Sequence, residues 1–97
     1  MTNQTFRVNE NQGMLHIPMH IWNDPSLKPN DKIVYGVINL SVRCTRQELL
    51  DFCKDHLNMG KEMVTTSYTK LSKLHLVNCY QKGIGFPMEF WIGDGRG

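Results

Sequence analysis

Three lysines and three threonines crowd into the stretch KEMVTTSYTKLSK: Lys61, Thr65, Thr66, Thr69, Lys70 and Lys73. An ammonium group attracts phosphate or carboxylate. A threonine offers a hydroxyl that donates and accepts, and a methyl group beside it, a combination that suits base edges and phosphates. Three β-branched threonines are weak helix formers, so helix propensity alone does not account for them; contact with a partner does, and drift on a tolerant surface is the plain alternative. Charge points the same way. The net charge is +2, but residues 1–58 carry six Lys/Arg against six Asp/Glu, whereas residues 61–82 carry Lys61, Lys70, Lys73 and Lys82 against Glu62 alone. A local basic face is how phosphate-binding surfaces begin, although charge alone fits a solvated lysine face equally well.

Other chemistries find little support. The chain lacks the nucleophile-elbow, zinc-protease, P-loop and dinucleotide-binding patterns. His16 and His20 are four apart, but Pro18 between them denies them a common helix face, so no metal site follows even with Cys44 or Cys79 added. His56 and His75 read as helix C-terminal residues. The carboxylates are scattered, and Lys82-Gly83 with Gly85 is too short and too late in the chain for a nucleotide-phosphate loop. We therefore expect no enzyme, no metal and no cofactor. Three cysteines without CxxC spacing read as plain thiols in a reducing cytoplasm. No apolar run approaches the ~20 residues that span a bilayer, and MTNQTFRVNENQG lacks the apolar segment of a signal peptide.

Ninety-seven residues make one domain. Residues 1–13 read as a flexible arm, 14–92 as the domain and 93–97 as a tail. MLHIP (14–18) could be a short strand, followed by a helical turn in MHIWN. Pro25 and Pro29 make a loop of 24–29. Asn30 is expected to cap the first long helix, with Asp31 near its positive end. Apolar residues at 33, 34, 37, 38 and 40 give helical spacing as far as Arg43–Cys44. Gly36 inside it costs roughly 1 kcal/mol, which close approach of another element would explain; tolerance of a weak helix position is the alternative. Thr45-Arg46-Gln47-Glu48 is a capping box that opens a second helix, with Leu49, Leu50, Cys53 and Phe52 inward. Leu57-Asn58-Met59 forms a turn, and Gly60 caps a third helix that buries Val64, Tyr68 and Leu71. It stops at His75, a position that often needs the left-handed conformation, which Gly or Asn prefers and His can adopt at some cost. Leu76–Gln81 and Met88–Ile92 are strands around the turn Lys82–Pro87, a hairpin.

The order helix, helix, turn, helix, strand, Gly-rich turn, strand describes a helix-turn-helix with a wing. The expected class is α+β: a winged helix-turn-helix with three main helices and a small antiparallel sheet, made of the C-terminal hairpin and a short N-terminal strand from MLHIP. Burying Val64, Tyr68 and Leu71 would set the third helix at an angle suited to a major groove. Lys82 and the N–H groups around Gly83 and Gly85 would lie near phosphates.

HIPMHIWNDPSLKPNDKIVYGVI resembles the opening of the N-terminal winged-helix domain of plasmid and phage replication initiators and replisome organisers, with its "IP" strand and DP–PN–K–YG run. LNMGKEMVTTSYTKLSKLHLVNCYQKGIGFPMEFWI resembles the same domain's recognition helix and wing. The resemblance covers about residues 14–92. It implies double-stranded DNA binding, in replication initiation or transcription control of a mobile element, through Lys61, Thr65, Thr66, Thr69, Lys70, Lys73 and Lys82. A rival reading is a protein-interaction module docking through Ile84, Phe86 and Trp91 as exposed apolar anchors; Ile84 and Phe86 are apolar where a DNA-reading wing would prefer Arg or Lys. Trp91 and its neighbours could also make a homodimer contact suited to a palindromic site.

Overall fold

Prolines and capping residues decide where each helix starts. In the computed structural model, which describes residues 15–41 and 43–93, the order is α1 (Met19–Trp22), α2 (Pro29–Asn39), β1 (Cys44–Thr45), α3 (Arg46–Leu57), α4 (Lys61–Lys73), β2 (Asn78–Gln81) and β3 (Met88–Trp91). The arm expected over 1–13 and the tail beyond Gly93 lie outside the described residues.

The first long helix, α2, starts one residue earlier than expected. Pro29 is its first helical residue and Lys28, not Asn30, its cap. Proline suits that position because its missing N–H needs no partner there and its φ is already helical. Asp31 is the third helical residue, and its Oδ2 accepts from the Lys28 N–H at 2.9 Å. The helix also ends earlier, at Asn39 rather than Arg43–Cys44, because Cys44 is drawn into β1 to pair with Phe90.

The third strand is a second correction. Residues 15–18 form no strand; β1, at Cys44–Thr45, takes that place, and the sheet order is β1–β3–β2, antiparallel throughout. Leu15 and Ile17 cross α2 at Gly36 instead. A Cβ on Gly36 would stand 3.0 Å from Ile17 Cγ1 and 3.2 Å from Leu15 Cβ. The glycine thus permits the close approach that its position inside a helix suggests. Asn39 Nδ2 ties the crossing down by donating to the His16 carbonyl at 3.2 Å.

The capping box of α3 forms as the sequence implies. Glu48 N donates to Thr45 Oγ1 at 3.1 Å, and Thr45 N to Glu48 Oε1 at 2.9 Å. At its other end Asn58 adopts the left-handed conformation, with φ 56°, and Met59 plugs back into the core. Gly60 caps α4, which buries Val64, Ser67, Tyr68 and Leu71. After α4, His75 takes φ 61°. Its N–H reaches the Ser72 carbonyl at 3.0 Å, and the Leu76 N–H reaches that of Leu71 at 2.9 Å. These two bonds make a Schellman motif, in which histidine accepts a backbone that glycine adopts more readily.

Ile21, Ile38, Leu49, Val64, Leu71 and Phe90 lie at the centre of a single core that all the layers share. Burial pushes the Cys53 thiol up to about 11 and that of Cys44 to about 12, so both stay protonated and inert. The architecture is α+β, four helices with a three-stranded antiparallel sheet, and compatible with a winged-helix-like fold. No helix among the described residues is long and apolar enough to cross a membrane.

Candidate nucleic-acid interface

Three separate fastenings hold α4. The first joins it to α2. Asp31 is 4% exposed, and its two oxygens accept from Lys28 N, from Ser67 Oγ at 2.8 Å and from Lys70 Nζ at 3.0 Å. Burial works to raise the pKa of this carboxyl, but the Lys28 N–H, Lys70 and Ser67 together outweigh it and leave it below the ordinary value. The second joins α4 to the sheet, where the Tyr68 and Phe90 rings lie 4.7 Å apart and tilted. The third joins it to α3, from which Arg46 Nε donates to the Tyr68 hydroxyl at 2.7 Å. Two polar side chains on one flank of α4, a tyrosine and the buried apolar stripe thus set both its rotation and its height.

That rotation sorts the residues expected to form the site. Lys61, Thr66, Thr69 and Lys73 are exposed and Thr65 is half-buried. Lys70 is different. It turns to the α2 flank, where the buried Asp31 neutralises it, so its ammonium group is not free for the outer face. The Thr66 hydroxyl donates to the Glu62 carbonyl one turn back, at 2.9 Å; its donor is used within the helix and its methyl is what remains for a partner.

The residues of the β2–β3 hairpin also separate. Lys82 is exposed, with its ammonium 5.1 Å from the Phe86 ring centroid. Gly83 and Gly85 bracket the exposed Ile84, and Gly85 has φ 91°. Trp91 is half-buried and in contact with its own fold. The Arg43 guanidinium covers it at 4.0 Å from the ring centroid, while pairing with Glu89 at 3.2 Å. Arg43, just ahead of β1, reaches β3 because the two strands pair, and so the indole is half-buried.

Sequence reasoning did not single out any residue of α3 for the site. A groove of about 540 Å³ runs between α3 and the start of α4, lined among others by Arg46, Gln47, Asp51, Lys54, Asn58 and Lys61. Arg46 and Lys54 there join Lys61 of the expected set. A signal did exist: Arg46 and Gln47 follow the capping threonine directly, and Lys54 lies two turns on, along one flank of the same helix. Exposed Met19 and Trp22 on α1 were missed as well, with Lys32 Nζ 5.2 Å from the Trp22 ring centroid.

No protein-family model matches the chain, and no curated protein matches it. Solved structures do resemble it. The N-terminal domain of a DNA-binding protein is similar with a TM-score of 0.61 and 20% identity, over 96% of this chain and 85% of that one. A chain in the structure of a Rep–DNA complex is similar with a TM-score of 0.60 and 21% identity, over 96% of this chain and 86% of that one. At such identity the likeness is one of fold.

Proposed function

We infer that the chain is a double-stranded DNA-binding domain, acting in the cytoplasm in replication initiation or transcription control of a phage or plasmid element, as a binding module rather than an enzyme. On this reading α4 enters the major groove, with Thr65 and Thr69 at base edges. Lys61 and Lys73 then lie at phosphates, and Lys82 with the Gly83 and Gly85 N–H groups meets the adjacent backbone. One observation carries it. The outer face of α4, with Lys61, Thr66, Thr69 and Lys73, stays uncovered although the helix is fastened on its other sides. A helix presented in this way is a rigid reading head. The structures it resembles are described as a DNA-binding protein's domain and a Rep–DNA complex, which supports DNA as the partner and favours the replication role.

Titration of labelled duplex DNA at several salt concentrations tests the inference. Binding is expected to weaken with a log–log salt slope of a few units as lysines displace counterions. Lys73→Ala should weaken all sequences and reduce the slope by about 1, and Thr69→Ala should mainly relax specificity. Absence of binding at low salt, both to generic duplex and to the DNA upstream of the protein's own coding sequence, would overturn it.

A further inference from the structure

The wing tip carries a side chain for which the fold has no use. Ile84 is 101% exposed and touches nothing that shields it from water. Its surroundings, by contrast, are built. The Phe86 N–H donates to the Gly83 carbonyl at 3.1 Å, and Gly85 at the third position has φ 91°, which together make a type II turn with Ile84 at its corner. Gln81 Nε2 closes the base of the turn by donating to the Phe86 carbonyl at 2.9 Å. Phe86 folds back beneath Lys82 and Gly83 and is half-exposed, whereas Ile84 projects fully. No Asp or Glu occurs between Leu76 and Met88, while Lys82 stands two residues from the tip.

We propose that Ile84 is an apolar wedge that enters the minor groove of duplex DNA beside the α4 site and unstacks a base step, so that the domain deforms the DNA it binds. The proposal rests on the DNA-binding reading and deepens it. Size decides between DNA and a protein partner. A stable protein interface takes about 800 Å² from each side and some 20–30 residues, and this tip offers two apolar side chains. A groove wedge needs a single Ile, Leu, Phe, Met or Pro. The other features agree. The preformed turn holds the wedge at little ordering cost, and Lys82 supplies charge complementary to the flanking phosphates.

Unstacking a base step is costly in paired DNA and cheaper at a mismatch. The test therefore compares a short fully paired duplex with the same duplex carrying a central mismatched TA step, by fluorescence anisotropy at low salt. Wild-type protein is expected to prefer the mismatched duplex by on the order of tenfold. Ile84→Ala should bring that ratio close to one while keeping the wild-type melting temperature. Ile84→Phe should keep the preference, and Ile84→Arg should lose it even though the added charge strengthens binding overall. A wild-type ratio near one, or a preference that survives Ile84→Ala, overturns the wedge and leaves DNA binding intact. If the wild-type protein binds neither duplex, the DNA reading fails and the wedge with it.

Discussion

The two halves of the candidate site are held in opposite ways. Helix α4 is over-determined: an ion pair and a hydroxyl bond to α2, a ring contact to β3 and a guanidinium bond from α3 all act on it. Among the described residues the hairpin tip is held by its own turn, by Gln81 and by the Lys82–Phe86 contact, and its most prominent side chain, Ile84, is fully exposed. A rigid helix can discriminate by geometry, because a displaced hydrogen bond is not recovered by adjustment. A tip free of packing can change its residue without disturbing the fold, so selection there answers to the partner alone. Stability and recognition should therefore be strongly coupled in α4 and nearly independent at the wing.

Substitutions can break or sharpen that contrast. The largest effect is expected at Phe90, fully buried against Tyr68 at the centre of β3: Phe90→Ala should cost about 3–5 kcal/mol in denaturant unfolding. Asp31→Asn comes next, at roughly 2 kcal/mol, since it weakens the acceptor that serves Lys28, Ser67 and Lys70 together. This position also has a pH signature. The folded-state pKa of Asp31 is lowered, so its contribution is complete above the unfolded carboxylate value of about 3.9 and is lost as pH falls through the lower folded value. Acid unfolding curves should show that loss in the wild type and not in Asp31→Asn.

Gly85→Ala should cost about 1 kcal/mol, because φ 91° strains any side chain although the space around it is open. The damage should stay local, appearing as faster hydrogen exchange at the Phe86 amide. Ser72→Ala should be neutral or slightly stabilising, by up to roughly 1 kcal/mol, because its Oγ is buried without a hydrogen-bond partner among the described residues and alanine favours helix. Smallest of all, Ile84→Ala should change stability by less than about 0.5 kcal/mol. A large loss of stability there would show the wing tip to be structural after all and would erase the contrast.

Lys70 shows most clearly what linear sequence conceals. On a helical wheel it flanks the threonine face and counts as one more basic residue. In the fold it belongs to Asp31, thirty-nine positions earlier in the chain, and serves as a fastening. The same holds for Trp91, which strand alternation turns away from Phe90 and which Arg43 then covers. In both cases the partner comes from another element, and spacing within one helix or strand carries no information about it.

Local physics accounts for what could be read directly. The Thr45–Glu48 capping box, the Gly60 cap, the buried stripe of Val64, Tyr68 and Leu71, the left-handed His75 and the Gly-rich hairpin each depend on residues within a few positions of one another. Caps, 3.6-residue periodicity and turn chemistry are short-range effects, so the consecutive helices α3 and α4 and the closing hairpin were legible from the amino-acid sequence alone. Tertiary structure decided the rest. It took the third strand from Cys44–Thr45, while residues 15–18 form none, because β3 had a free edge beside the end of α2 and Leu15 and Ile17 could pack over Gly36. It also divided the lysines between fastening and surface, because a buried carboxylate claims whichever ammonium group the packing brings within reach.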